Sequence, residues 1–211
     1  MNIAYHLRSE RLHLDACSPA ATAEVLEVLH AETERLGRYM PFAANILPHH
    51  KQAVAFAKLQ AGFLNREFVF FIRDRHTGRF LGACGLHDRI GPLGRELGYW
   101  LRADAIGKGY ASEAVTMLCQ LAFCQEKDVD RVELRIEPEN GESIAVAGRL
   151  GFVREARLRR RSPWPGEEPR DVVVFSLYRS QYEVSKLAEF EMQRFGPSDR
   201  SLPSRAVNEE E

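Results

Sequence analysis

The chain has 211 residues, of which 45% are hydrophobic and 28% charged, as in a globular domain with one substantial core. Its formal net charge of −1 provides no basic field that would favour nucleic acid or an anionic membrane. The sequence has no apolar run near the roughly 20 residues that span a bilayer and no signal-peptide pattern at its N-terminus. We therefore expect one cytoplasmic domain over residues 1–195 and a disordered polar tail over residues 196–211.

Patterns of apolar residues predict the elements in chain order. Leu12 and Leu14 alternate with polar residues, which is typical of a strand, and Ser18 before Pro19 is typical of a helix start. The predicted elements are, in order, a strand (Leu7–Ala16), a helix that ends at Gly37, a loop (Tyr39–Pro48), a helix (about His50–Asn65), three strands (Glu67–Arg73, Arg79–Asp88 and Arg95–Leu101), a helix (Ser112–Gln125), a strand (Arg131–Glu137), a helix (Asn140–Leu150), two strands (Phe152–Arg161 and Asp171–Arg179) and a terminal helix (near Gln181–Arg194).

The connections between these elements predict the topology. Short polar turns at Asp74–Gly78 and Gly91–Gly94 indicate antiparallel hairpins among the second, third and fourth strands. The helix between the fourth and fifth strands requires a crossover, so these two strands should pair in parallel. We therefore expect an α/β (α+β) domain with a mixed, mostly antiparallel sheet, one parallel pair and flanking helices.

A glycine-rich segment between the fourth strand and the following helix carries the clearest chemical signal. Gly107 and Gly109 flank Lys108, and a helix begins just after them. Glycine permits positive φ and a close approach of the backbone to a ligand, and a helix N-terminus attracts anions. This arrangement suits a phosphate or pyrophosphate, although a plain glycine turn fits the same spacing. The segment matches neither the P-loop pattern nor the dinucleotide pattern G-x-G-x-x-G.

Two motifs resemble the RimJ/RimL-like N-acetyltransferases of the GNAT superfamily. The stretches Leu97–Leu101 and Gly107–Ala114 resemble the acyl-CoA-binding motif of these enzymes. Downstream, Asn140, Ser143 and Leu150–Phe152 match the family's N-x-x-S and L-G-F positions. The resemblance extends over nearly the whole predicted domain and implies the GNAT fold, with acetyl-CoA as the acyl donor and no metal.

The resemblance also implies how the donor is held. The pantetheine arm should lie beside the backbone of Trp100 and Leu101 and accept a bond from the amide of Asn140, whose position also suits a helix N-cap. Ser143 should give a proton to the departing thiolate, although a residue of the first helical turn can also bond locally. The general GNAT loop opens with Gln or Arg, where this chain has Ile. The pyrophosphate should rest on the loop and helix residues Ile106, Gly107, Lys108, Gly109, Tyr110, Ala111 and Ser112.

Two residues are candidates for the base that deprotonates the acceptor amine. Glu96 is the first choice, because it lies on the strand that enters the loop and alternates away from Leu97. The alternative is a structural glutamate paired with Arg95 or Arg131. His87, on the preceding strand, is the second choice, because a neutral imidazole suits proton transfer near neutral pH; the alternative is a packing histidine. The adjacent histidines 49 and 50 diverge at a helix start and have no third ligand, so we expect no metal site.

The resulting hypothesis is an acetyl-CoA-dependent N-acetyltransferase in which a primary amine attacks the thioester directly within a ternary complex. The acceptor would be a protein N-terminal amine or a small amine. The alternative is a non-catalytic GNAT module that binds acyl-CoA or a protein partner. We expect no membrane contact and no nucleic-acid site, and a homodimer stays open.

Overall fold

The computed structural model describes residues 4–197 and 201–202, with the backbone only for Leu64, Ser201 and Leu202. The strands that these residues form are β1 (His6–Arg8), β2 (Leu12–Ala16), β3 (Phe68–Asp74), β4 (Phe80–His87), β5 (Gly94–Leu101), β6 (Arg131–Ile136), β7 (Val153–Ser162), β8 (Arg170–Tyr178), β9 (Gln193–Phe195) and β10 (Ser201–Leu202). The α-helices are α1 (Thr22–Ala31), α2 (Thr33–Gly37), α3 (Pro41–Ala44), α4 (His49–Gly62), α5 (Tyr110–Gln125), α6 (Gly141–Arg149) and α7 (Arg179–Glu183).

The strands form one mixed sheet in the order β10-β9-β1-β2-β3-β4-β5-β6-β8-β7. Within the described residues, β5 and β6 are the parallel pair, and the other neighbours are antiparallel. The predicted fold class is therefore confirmed. The parallel pair arises because α5 carries the chain back across the sheet between the two strands.

The parallel pairing is short. Only three residue pairs join β5 to β6, from Gly94 opposite Arg131 to Glu96 opposite Glu133. Beyond Glu96, β5 continues along β4 as far as Leu101, and β6 continues along β8. The two strands therefore separate after Glu96, and the edge of β5 that would face β6 is left without a strand partner there.

Alternation along β5 divides its side chains between the two faces of the sheet. Leu97 and Leu101 pack into the main core against α5, and Tyr99 lies beside them. Trp100 packs on the opposite face in a second core, with residues of α1 and α4 such as Val25 and Phe56. Both faces of the separated strands are thus covered by helices, which create a sheltered space around the gap.

Several predicted boundaries differ from the structure at the two ends of the chain. The predicted first strand is a hairpin of β1 and β2, because residues 9–11 turn where the Ser9 amide donates to the Leu12 carbonyl. The predicted loop before α4 contains the short helix α3, which starts at a proline. The predicted terminal helix ends at Glu183, and Gln193–Phe195 instead forms β9 beside β1.

The predicted disordered tail falls mostly outside the described residues, which omit 198–200 and 203–211. Within it, Ser201–Leu202 forms the two-residue strand β10 beside β9. No helix in the described ranges is long and apolar enough to cross a membrane. The four cysteines are free, and burial raises the pKa of the Cys17 thiol to about 12, which suits a packing role.

A buried ion network ties the start of β5 to the end of α5. Glu126 follows α5 and has a carboxylate that is 1% exposed. It accepts from Arg95 Nε at 2.8 Å and Nη2 at 3.0 Å, and it also pairs with Arg66 beyond α4. The Arg95 side chain is 3% exposed, so the charges of this pair must neutralise each other.

We expect Glu126→Gln to lower the free energy of unfolding by about 3 kcal/mol, because it leaves the buried Arg95 guanidinium without its main counter-charge. The matched control is Asp128→Asn, which removes an ion pair with Arg66 at a carboxylate that is 58% exposed. That change should cost no more than about 1 kcal/mol. Chemical denaturation of both variants measures the difference, and equal losses would contradict the assignment of the network to the core.

Candidate active site

The predicted anion-binding loop has the expected geometry. Gly107 and Gly109 have φ of +76° and +82°, and α5 begins at the next residue. Among the described residues, the N–H groups of residues 107–112 make no backbone hydrogen bond, whereas Glu113 N–H donates to the Gly109 carbonyl. A row of free amides at a helix N-terminus can bind an anion. Of the predicted loop residues, Ile106 packs its side chain against the main core, so the polar groups at this position are those of the backbone.

The β1–β2 turn holds this loop in place, which the sequence did not reveal. Arg11 Nε donates to Glu113 at 2.7 Å, and its Nη1 donates to the Lys108 carbonyl at 3.0 Å. Glu113 is buried in the first turn of α5 and also accepts from Ser9 Oγ at 2.6 Å. Neither Arg11 nor Glu113 was predicted, because their partners are about a hundred positions apart in the chain.

Three of the residues predicted to hold the donor, Ser112, Leu101 and Asn140, make side-chain or backbone hydrogen bonds. Arg149, at the end of α6, donates to Ser112 Oγ at 3.0 Å and places a cation beside the loop. The Leu101 carbonyl accepts from Arg35 at 2.6 Å. Asn140 caps α6, because its Oδ1 accepts from the Ser143 amide at 3.2 Å. The cap leaves the Asn140 amide group available as a donor.

A cavity of about 970 Å³ passes through the gap between β5 and β6. Tyr99, Asn140 and Ser143 line it on the α6 side of the sheet, while His87 and Glu96 line it on the other side. Loop and α4 side chains, among them Met40 and Leu47, border the cavity on that second side. The cavity therefore joins the two faces of the sheet where the strands separate.

Gly98 keeps the second side of the cavity open. Gly85 of β4 lies opposite Gly98 of β5, one step from the opposed pair His87 and Glu96 on the same face. A side chain at Gly98 would meet open space, since no neighbouring atom lies within 4 Å of the point that its Cβ would occupy. A small molecule or a chain end can therefore reach the sheet surface between Trp100 and His87.

His87 is oriented by a carboxylate. Its Nδ1 lies 2.8 Å from Glu67 Oε2, and the other oxygen of Glu67 accepts from the Asp88 amide at 2.9 Å. A carboxylate at Nδ1 favours the tautomer in which Nδ1 carries the hydrogen, so Nε2 is the free acceptor. His87 and Glu67 thus form a hydrogen-bonded pair, and His87 lines the cavity wall.

Glu96 is held by two arginines that the sequence did not indicate. Arg89 Nη2 lies 2.5 Å from Glu96 Oε1, and Arg135 Nε lies 3.7 Å from its other oxygen. The arginines considered from sequence, Arg95 and Arg131, instead pair with the buried Glu126 and Glu133. The Glu96 carboxylate is therefore a charged group with its charge already compensated.

Tyr99 contributes a second hydroxyl that was not assigned from the sequence. Its buried Oη has no hydrogen-bond partner of normal geometry among the described residues. Burial raises the pKa of this phenol, and the neighbouring Ser143 side chain opposes the rise. Tyr99 therefore stays protonated near neutral pH and has a proton to donate beside Ser143. The only signal for Tyr99 in the sequence is that it lies in the Leu97–Leu101 motif that resembles the acyl-CoA-binding motif.

The comparison with known proteins identifies the family. Residues 11–153 match the profile described as an acetyltransferase (GNAT) domain. The chain belongs to the GNAT acetyltransferase family. The predicted family, fold class and enzyme class, an N-acetyltransferase, are thereby confirmed.

Two Bacillus proteins are among its relatives. "Putative ribosomal N-acetyltransferase YdaF" of Bacillus subtilis is 26% identical over 191 residues, which cover 84% of this chain and 97% of the relative. "Uncharacterized N-acetyltransferase p20" of Bacillus licheniformis is 37% identical over 114 residues, which cover 54% of this chain and 63% of that protein. The match to p20 thus spans less than two thirds of its length.

Solved GNAT structures share the fold. Mycobacterium smegmatis RimJ, in complex with CoA-disulfide, superposes with a TM-score of 0.73 at 21% identity and covers 87% of this chain and 90% of its own. The microcin C7 self-immunity acetyltransferase MccE, in complex with acetyl-CoA and AMP, has a TM-score of 0.73 at 19% identity and covers 81% and 93%. At these identities the likeness is one of fold.

The cap of α6 gives a testable prediction. We expect Asn140→Ala to lower the free energy of unfolding by about 1 kcal/mol, because the Ser143 amide loses its acceptor. Asn140→Asp keeps a cap acceptor at the helix N-terminus and should unfold like the parent protein. Chemical denaturation of the two variants measures the contrast. Equal destabilisation of both variants would show that the hydrogen bond from the Ser143 amide to residue 140 does not stabilise the start of α6.

Proposed function

We propose that the protein transfers an acetyl group from acetyl-CoA to a primary amine by direct attack in a ternary complex. The observation that carries the proposal is the cavity through the sheet. It has the two candidate general bases, His87 and Glu96, on one face and the hydroxyls of Tyr99 and Ser143 on the other. The amine would enter on the face of His87, and the donor on the face of Ser143. Direct attack needs both reactants at one place, and the gap between β5 and β6 supplies it.

The residues around the loop fit a pyrophosphate and its attached arm. The free amides of residues 107–112 suit the pyrophosphate oxygens, and Arg149 adds a cation beside them. The edge of β5 beyond Glu96, which has no strand partner and on which Arg35 occupies the Leu101 carbonyl, suits the amide groups of a pantetheine arm. The Asn140 amide would donate to the same arm, so acetyl-CoA affinity should fall in both Asn140→Ala and Asn140→Asp. Neither the binding of the pyrophosphate nor that of the pantetheine arm requires a polar side chain at Ile106.

His87, positioned by Glu67, is the base that the geometry favours. The attacking amine must be neutral, and an α-amino group with a pKa of about 8 is roughly a tenth neutral at pH 7, against about 0.04% for a lysine. His87 lines the cavity, and its Nε2, which the Glu67 carboxylate leaves as an acceptor, would take the proton that the amine loses on attack. Glu96, in its ion pairs with Arg89 and Arg135, would act through a water or by positioning the amine.

Ser143 and Tyr99 supply the proton on the opposite face. Attack by the amine forms the C–N bond and a tetrahedral intermediate, whose collapse breaks the C–S bond and releases the thiolate. The Tyr99 phenol is protonated and buried, and Ser143 lies next to it. A proton from this pair neutralises the thiolate as it leaves, and the base returns its own proton to solvent. One proton thus enters and one leaves for each acetyl group transferred.

We propose a protein N-terminal amine, such as that of a ribosomal protein, as the acceptor. The name of the relative YdaF points to this class. The α-amino group is also the protein amine that needs the least help from a base at neutral pH. Apolar side chains at the mouth, Phe42 at 47% exposed and Leu47 at 40% exposed, suit the residues that follow a chain terminus.

Thiol release from acetyl-CoA tests the proposal directly. We expect release with peptides that have a free α-amine, and little release with the same peptides when the α-amine is blocked and a lysine is present. The reason is the larger neutral fraction of the α-amine. Tight acetyl-CoA binding without release for any peptide or small amine would favour the non-catalytic module instead.

In the same assay, His87→Gln should lower kcat/KM at neutral pH by about 10²–10⁴-fold, because the general base is lost. The deficit should shrink as pH rises, because the amine then deprotonates in solution. Glu96→Gln is the matched comparison and should have a parent-like pH profile with a smaller loss. A parent-like profile for His87→Gln beside a collapsed one for Glu96→Gln would transfer the role to the glutamate.

The two hydroxyls give a further expected outcome. Tyr99→Phe and Ser143→Ala should each lower kcat by more than they weaken acetyl-CoA binding, since the proton is needed only as the thiolate leaves. If the hydroxyls act as one unit, the double variant should lose little more than the worse single variant. The kcat values of the three variants decide this. If the chemical step limits the rate and all three kcat values equal that of the parent, the two hydroxyls donate no proton to the thiolate and have only a structural role.

A further inference from the structure

Three potential metal ligands lie together on the β1–β2 hairpin, away from the cavity. His6 Nδ1 is 2.7 Å from Asp15 Oδ1, and His13 Nε2 is 3.0 Å from the same oxygen. The three ligand atoms all lie within 4.8 Å of one another. The proposed acetyl transfer uses none of these side chains.

The strand register explains why the three residues meet. His6 and Asp15 are direct partners across the antiparallel pair, and His13 is two positions before Asp15 on the same strand. All three therefore lie on one face of the hairpin, while Leu7 and Leu14 point into the core. The side chains of the three are 23–29% exposed, which leaves them within reach of a dissolved ion.

A neighbouring arginine orients the carboxylate. Arg73 Nε lies 3.6 Å from Asp15 Oδ2, the oxygen that the histidines do not use, and Arg73 is itself held by Glu24 at 2.7 Å. Oδ1 is therefore left directed at both imidazoles. Outer partners of this kind commonly fix the direction of a metal-binding carboxylate. Arg8 Nε donates to His13 Nε2 at a longer 3.4 Å and would have to release it.

We propose that His6, His13 and Asp15 bind a divalent transition-metal ion, with zinc as the preferred ion. Two imidazole nitrogens and one carboxylate oxygen are ligands that zinc accepts, and three protein ligands leave a fourth position for water. Tetrahedral bonds of about 2.0 Å require ligand atoms about 3.3 Å apart, so small side-chain movements suffice. Magnesium and calcium prefer all-oxygen sites and should bind poorly.

The ion would cross-link β1 to β2 near the turn that holds the anion-binding loop. Arg11 in that turn contacts Lys108 and Glu113. The site is nevertheless distinct from the cavity, whose lining includes none of the three ligands. Metal binding can therefore be measured without reference to catalysis.

The test is titration of the full-length, untagged protein with Zn²⁺ against a chromophoric chelator, and with Co²⁺ by visible absorption. We expect one ion of each per chain, and for Co²⁺ the intense absorption of four-coordinate geometry. His13→Gln and Asp15→Asn should each weaken Zn²⁺ binding by at least about 100-fold, since a lost ligand costs more than a lost outer partner. The matched control is the double variant His49→Gln/His50→Gln, which should bind like the parent.

Two results would overturn the proposal. The first is that the parent protein binds neither Zn²⁺ nor Co²⁺ stoichiometrically, a result that needs no variant. Parent-like Zn²⁺ affinity in folded His13→Gln, with loss in the His49→Gln/His50→Gln control, would place the ion at the other histidines. His6→Gln serves in place of any variant whose circular dichroism shows that it fails to fold.

Discussion

The short parallel pairing of β5 with β6 is the constraint on which the site depends. The two strands share only the pairs from Gly94 to Glu96 and then follow different partners. Because β5 stays bonded to β4, its other edge can lack a strand partner beyond Glu96 without loss of the sheet. The resulting gap connects the two faces, and it places Ser143 and His87 within one cavity. A fully paired sheet would keep these residues on separate sides of a closed wall.

Charge pairs at both ends of α5 hold the helix relative to this gap. At its start, buried Glu113 binds Arg11, which also holds the Lys108 carbonyl of the loop that we propose as the anion-binding site. At its end, Glu126 binds Arg95 at the first residues of β5. Buried carboxylates therefore tie the start of α5 to the β1–β2 turn and its end to the start of β5. The same pairs account for carboxylates that would otherwise be costly to bury.

The proposed chemistry uses the division of β5 into two faces. A base must meet the amine while an acid meets the leaving thiolate, and the two must not neutralise each other. The hydroxyls of Tyr99 and Ser143 lie toward α6, and His87 with Glu67 lies on the opposite face. Gly98 leaves open space beside the base, whereas a side chain at Gly85 would meet the His87 imidazole. Local environment distinguishes the two carboxylates, since Glu67 binds an imidazole and Glu96 binds guanidinium groups.

The sequence by itself determined what depends on local pattern. Alternation located the central strands, the crossover helix implied the parallel pair, and the glycines at 107 and 109 marked the loop with positive φ. Only the tertiary structure decided which distant groups meet: Arg11 with Glu113, Arg89 with Glu96, Tyr99 with Ser143, and His6 with His13 and Asp15. The physical reason is that strand register and packing bring together residues far apart in the chain, whereas spacing along a sequence reports only neighbours on one element.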